Sequence, residues 1–227
     1  MIRLLGAIAP MIAAVIATLA VDLPACADTP TASPTPMASP DANAIVQALT
    51  ARMDAVESYQ ARIHVDIQMQ SFPFLATSLD GTATYRRPAQ YTVTFDSVPE
   101  LASAFQKVSG DIGDPAAWPQ KYHVTIDPSA AKAPAGQTVL RLTEKVHGQI
   151  DHALAFVDEN ARTITGMNWY YYSGGIITMQ QHFAPQGGVL LVDHQTADIH
   201  MPGYKASIQA QFNGYSVQVS MTSPAGR

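Results

Sequence analysis

Apolar positions along the chain follow two periods in succession. Ile45, Leu49, Met53 and Val56 recur at helical spacing and form one stripe. Ser39 or Asp41 can cap such a helix, and Pro40 suits its first turn. The helix is expected to end near Ser58. From Tyr59 the period drops to two: Tyr59, Ala61, Ile63, Val65, Ile67 and Met69 alternate with Gln60, Arg62, His64, Asp66 and Gln68. That alternation describes a strand with one buried and one wet face.

Further strands follow. Leu79–Arg87 places Leu79, Ala83 and Tyr85 on one face and stops at Pro88, and Tyr91–Phe95 alternates Tyr91, Val93 and Phe95 with Thr92 and Thr94. A helical insertion is predicted at Leu101–Val108, opened by Pro99, and a loop at Gly110–Pro119 carrying Trp118. Strands are then expected at Tyr122–Ile126, Thr138–Lys145, Ile150–Val157, Thr163–Tyr172, Ile176–Phe183, Val189–Met201 and Tyr204–Met221. The dipeptides Gly174-Gly175, Gly187-Gly188 and Pro202-Gly203 mark turns between them. In the last run the apolar parity changes from even (Ala206, Ile208, Phe212) to odd (Tyr215, Val217, Val219), so Asn213-Gly214 reads as a bulge or bend.

These elements make a mainly β, α+β fold of about ten antiparallel strands in meander order. Such a sheet must curl or close. A strongly curved sheet, or unclosed barrel, with the two helices on its concave face buries every apolar stripe. The pattern leaves open whether that face encloses a cavity, since alternating apolar residues fill a solid core equally well.

The N-terminus has its own pattern. A short positive start at Arg3, an apolar run from Leu4 to Val21 and the small-residue site Ala25-Cys26-Ala27 have the layout of a secretory signal peptide over residues 1–27. Leu23-Pro24-Ala25-Cys26 also resembles a degraded lipobox, so acylation of Cys26 stands as an alternative to simple cleavage after Ala27. Residues 28–40 are rich in Pro, Ser, Thr and Ala and form a tether too polar to bury a core. The folded domain is expected over residues 41–221, with a tail at 222–227.

Composition narrows the function. Thirteen Lys+Arg against eighteen Asp+Glu give a net charge of -5, which argues against a nucleic-acid partner. A lone cysteine excludes an internal disulfide and any multi-cysteine metal site. The seven histidines show no zincin spacing, and no nucleophile elbow or phosphate loop occurs. We therefore expect no catalytic residue, no cofactor and no metal. The run Trp169-Tyr170-Tyr171-Tyr172 sends Trp169 and Tyr171 to one face and Tyr170 and Tyr172 to the other. Met69, Met167, Met179 and Met201 can serve either as an adaptable wall or as core filler.

Two stretches carry a family resemblance: Leu49–Ala61, LTARMDAVESYQA, and Gly81–Pro88, GTATYRRP. With the order of elements they resemble the LolA-like superfamily of periplasmic lipoprotein carriers and outer-membrane lipoprotein-sorting proteins. The resemblance implies an unclosed β-barrel with a helical lid that holds acyl chains. It also implies a monomer with a lipid or acylated lipoprotein as ligand and membrane-bound donor and acceptor proteins. Its arginine before proline, which holds the lid by bonding helix backbone, matches Arg87. Strand parity puts Arg87 inward with Ala83 and Tyr85; a strand-end arginine reaching solvent is the other reading. The expected ligand-binding set is Arg87 with Ile63, Val65, Ile67, Tyr85 and Val93, and the helix stripe Ile45, Leu49 and Met53. The chain departs from the carriers in its two tryptophans and in the stretch between Phe95 and Tyr122. The superfamily also contains envelope-stress sensors and glycolipid-binding lipoproteins, so a periplasmic partner-binding module is the alternative to a carrier.

Intact-mass measurement of the exported protein tests the leader. A mature chain beginning at Asp28 is expected; one beginning at an acylated Cys26 would instead make the protein a membrane-anchored lipoprotein.

Overall fold

The structure is a computed structural model that describes residues 41–71, 75–88, 90–96 and 115–219. The leader, the tether, the Leu101–Val108 helix and the tail lie outside the described residues.

Helix α1 spans Ala42–Arg52, capped by Asp41, whose carboxylate accepts the Asn43 N–H at 3.0 Å. It buries Ala42, Ile45, Val46 and Leu49. The helix stops earlier than its stripe suggests: a 3₁₀ turn at Met53–Ala55 follows, and Val56 already opens a strand. A stripe position and a strand's inward position coincide at Val56, so spacing alone could not place the boundary.

Ten strands follow among the described residues: β1 (Val56–Met69), β2 (Ala76–Arg86), β3 (Gln90–Phe95), β4 (Tyr122–Ile126), β5 (Gln137–Glu144), β6 (Ile150–Asp158), β7 (Thr163–Tyr171), β8 (Ile176–Gln186), β9 (Val189–Met201) and β10 (Tyr204–Val219). They form one sheet in the order β3-β2-β1-β10-β9-β8-β7-β6-β5-β4, every pair antiparallel. The sheet does not close: β3 and β4 are its two edges. This is an unclosed β-barrel, and it differs from a simple meander. The first strand pairs with the last along nearly its whole length, Val56↔Val219 to Met69↔Ala206, so β3 and β4, consecutive in the chain, stand at opposite edges. Hairpin turns specify neighbours joined by short connections. The β1·β10 pairing has no such local signature.

The turns behave as their residues require. Gly187 and Gly188 both have positive φ (57° and 86°) in the two-residue turn between β8 and β9, a conformation closed to most side chains. The bend expected at Asn213-Gly214 is present: Gly214 has φ 62°, and the β1·β10 register slips between Gln60↔Ser216 and Arg62↔Asn213. Burial passes from Ala206, Ala210 and Phe212 to the half-buried Tyr215 and Val217 across it.

Two apolar clusters occupy the inner face. One joins α1 to strands β4–β9 through Ile45, Val46, Trp118, Leu140, Leu142 and Met167. The loop expected at Gly110–Pro119 gives way at its end to a four-residue helix, α2 (Trp118–Lys121), and Trp118, the large apolar group in that stretch, is only 1% exposed. This large indole packs in the same cluster as the α1 stripe, Ile45, Val46 and Leu49. The other cluster joins β1, β2 and β10 through Ile63, Val65, Ile67, Leu79, Ala83 and Phe212. The outer face is polar and carries ion pairs such as Arg62–Asp96 at 3.1 Å. His64 lies there too. Its hydrogen bond with Asp80, 2.8 Å, raises its pKa above the ordinary imidazole value.

Gly81 lies opposite Ile63 on one side and Phe95 on the other. A Cβ there would stand 2.5 Å from the Thr94 carbonyl oxygen and 2.9 Å from the Phe95 ring. Glycine at this position lets Phe95 close over the strand. Gly81→Ala is expected to cost about 1–3 kcal/mol of stability, read from a urea unfolding midpoint. An unchanged midpoint would show that β3 shifts freely.

Candidate ligand cavity

Between the two clusters the inner face holds a cavity of about 440 Å³. That size falls within the range of about 300–1,000 Å³ typical of small-molecule sites. Its floor comes from β1, β2 and β3: Ile63, Val65, Ile67, Leu79, Tyr85 and Val93. The opposite wall comes from β7, β8 and β9, with Trp169, Ile177, Met179, Leu191 and Ile199. The C-terminal end of α1 roofs it with Leu49, Arg52 and Met53. The strand residues alternate in sequence because each strand shows every second side chain to one face.

Of the sequence-predicted residues, Ile63, Val65, Ile67, Tyr85, Val93, Leu49 and Met53 come together on this lining. Ile45 does not; one turn back along α1, it packs into the β4–β9 cluster. Arg87 also stands outside the lining. It follows the last residue of β2, is exposed, and donates from Nη1 to the Asp54 carbonyl at 2.8 Å, with Asp54 Oδ1 3.8 Å from Nη2. The inward position suggested by strand parity is therefore not taken, because β2 ends at Arg86 and the alternation ends with it. The contact to backbone at the end of α1 is made from outside the cavity. The aromatic run divides as its alternation requires. Trp169 faces the cavity and Tyr171 packs against the core, whereas Tyr170 stacks on His152 and Tyr172 meets His147. Among the methionines, Met179 lines the cavity, and Met167, Met69 and Met201 belong to the core.

Sequence reasoning missed the polar end of the site. Tyr59 stacks on Tyr85 with ring centroids 5.3 Å apart and meets Tyr215 edge-on at 5.6 Å. Tyr91, Tyr215 and Arg52 also line the cavity here. Register accounts for the cluster. The β9·β10 pairing ends at Gln211↔His194, and β9 bulges between His182/Phe183 and its own partners, so Leu191 and Val192 both reach the cavity. Side chains then take two carbonyls beyond the end of that ladder. The Tyr215 hydroxyl donates to Val192, and Arg52 Nη1 donates to Leu190 at 2.5 Å. The Arg52 guanidinium also lies 5.3 Å from the Phe183 ring centroid, a cation–π distance.

Burial sets the electrostatics. It pushes Tyr91 up to about 12, and pushes Tyr59 and Tyr215 well above the ordinary phenol value, with neighbouring tyrosines adding to the effect. The hydroxyls stay neutral donors. Burial lowers the Arg52 pKa, partly offset by Tyr59 and Tyr85, but an arginine starting so high remains charged. A signal for Arg52 existed in the sequence: it sits seven residues after Ile45 and three after Leu49, on the apolar stripe itself.

No group of acidic, histidine or cysteine side chains suited to a metal ion occurs among the described residues. His194, His200 and Asp198, which share a strand parity, form no such cluster. No helix among the described residues is long and apolar enough to cross a membrane.

No family model and no curated protein matches the sequence. Solved structures do match the fold. A DUF1329 family protein from Desulfovibrio piger shares 9% identity, with a TM-score of 0.55 over 81% of this chain and 96% of that one. A domain named for outer membrane lipoprotein sorting, from Vibrio parahaemolyticus, shares 11% at 0.54 over 77% and 91%. A LolA superfamily protein from Nitrosomonas europaea shares 10% at 0.54 over 79% and 94%. At these identities the likeness is one of fold. The open ten-stranded barrel with α1 against its inner face is the LolA-like fold.

Proposed function

We propose that this is an exported envelope protein that reversibly binds the acyl chains of a lipid or lipoprotein in its inner cavity and carries them toward the outer membrane. The observation that supports it most is the half-roofed cavity, mostly apolar along β1–β3 and β7–β9, with Arg52 and a tyrosine cluster near the end of α1. Each methylene moved from water into such a lining contributes about 0.8 kcal/mol, so a single chain gives useful affinity. The signal-peptide layout of residues 1–27 and the neighbours' fold are consistent with export. The polar groups of the described lining are arginines, neutral tyrosines, Thr92 and amides, a set suited to holding and orienting a ligand. Membrane-bound donor and acceptor proteins would be the partners of such a carrier. A sensor that binds a protein partner on the same fold is the second reading, and it predicts an unliganded interior.

Arg87 enters as a positioning residue. Its bond to the Asp54 carbonyl ties the turn after α1 to the end of β2, so loss of that bond frees the roof.

Two measurements test these statements. Native mass spectrometry of the exported protein, purified without detergent, is expected to show a co-purifying acylated species that Val65→Glu abolishes. A bare mass in both proteins, with no uptake of a fluorescent acyl chain, would favour the sensor. Arg87→Leu is expected to speed amide exchange at Met53–Ala55 and shorten ligand retention severalfold. Unchanged retention would remove Arg87 from the mechanism.

A further inference from the structure

Among the described residues, the charge on the cavity wall has one sign. The protein carries more acids than bases, with a net charge of -5. Yet the charged side chains on the described lining are Arg52 and Arg162, and no carboxylate stands among them. Arg52 is the more enclosed: it is half-buried, whereas Arg162 is exposed. A guanidinium has five N–H donors. Among the described residues, Arg52 bonds the Leu190 carbonyl and lies over the Phe183 ring, and neither contact supplies a negative charge. The hydroxyl-bearing rings of Tyr59, Tyr85, Tyr91 and Tyr215 line the same region. Tyr215 already spends its proton on Val192. Asp193, which adds to the raised pKa of Tyr215, is itself held by His182 at 2.7 Å.

A partly desolvated cation without a counter-charge is costly, and a bound anion removes the cost while forming charge-assisted, bidentate bonds. The apolar floor beside it requires that this anion carry a hydrocarbon chain. We propose that Arg52 is the headgroup-binding residue of the cavity, which takes an anionic amphiphile. The carboxylate or phosphate oxygens meet the guanidinium at the end of α1, and the acyl chain lies along Ile63, Val65 and Ile67. The proposal rests on the lipid-binding reading above and narrows it from any acyl chain to one with an oxyanion at its end. It also couples ligand to roof, since Arg52 is the last residue of α1: an anion held there ties the helix to β9 through the Leu190 contact.

The test compares three ligands with the same tail, dodecanoate, dodecyl phosphate and dodecanol, each below its micelle concentration. Binding is followed by the fluorescence of Trp169, which lines the cavity. At least one anion is expected to bind about tenfold or more tightly than the alcohol, the scale of a hydrogen bond to a charged group. The stronger of the two tells a fatty-acid carboxylate from a lipid phosphate. Acidification below the dodecanoate pKa is expected to erase that ligand's advantage. Arg52→Gln is expected to remove the anion preference and keep the alcohol's affinity, and Arg52→Lys to retain part of the preference. Equal binding of all three by the unmodified protein overturns the headgroup assignment and leaves the cavity reading standing. A preference that survives Arg52→Gln overturns the assignment to Arg52. Failure of all three to bind overturns the cavity reading itself.

Discussion

Among the described residues, a ten-stranded antiparallel sheet presents an inner apolar face that the eleven-residue α1 cannot cover. At about 4.8 Å between strands the sheet is roughly 43 Å across along its hydrogen bonds, whereas α1 is about 16 Å long. Every other feature follows from that mismatch. The helix and Trp118 pack into one core cluster with strands β4–β9, whose Trp169, Ile177, Met179 and Ile199 also line the cavity. Along β1–β3 the apolar side chains remain, and the sheet brings the opposite wall over them. Among the described residues, the cavity is the part of the inner face that α1 leaves uncovered.

The boundary between the covered and uncovered parts lies at the end of α1, where the chemistry of the site collects. A helix end leaves the last residues of its apolar stripe poised between core and cavity. Leu49 serves both sides, Met53 faces the cavity, and Arg52 places a cation where β9 has two carbonyls beyond its ladder with β10. The bulges of β9 and β10 are therefore what admit side chains to backbone groups that a regular sheet would have paired. Polar side chains thus gather where the end of α1 meets a mostly apolar wall.

Much of the fold is legible in local pattern. Strict alternation placed Ile63, Val65 and Ile67 on the inner face, and glycine turns separated the later strands. The parity change at Asn213-Gly214 marked the bend. What local pattern could not carry was pairing across the whole chain. The β1·β10 ladder joins residues at opposite ends of the domain with no turn between them, and only that ladder puts β3 and β4 at the edges. The burial of Trp118 was out of reach of local pattern for the same reason. The residue stands in a Gly-, Pro- and Asp-rich stretch with no apolar periodicity, and its burial depends on α1, which is far from it in sequence.

The site divides along the same line. The sequence by itself determined which strand residues face inward, because side-chain direction is a property of the backbone repeat. Tertiary structure alone decided which inward residues meet a void and which meet a helix: Ile45 and Leu49 share a stripe, yet only Leu49 reaches the cavity. It also decided Arg87, whose parity pointed in but whose strand ends one residue before it. Arg52 too became a cavity residue only through the register of β9 beneath it. Periodicity fixes direction, but occupancy depends on distant chain, and no local repeat encodes what the rest of the molecule places opposite.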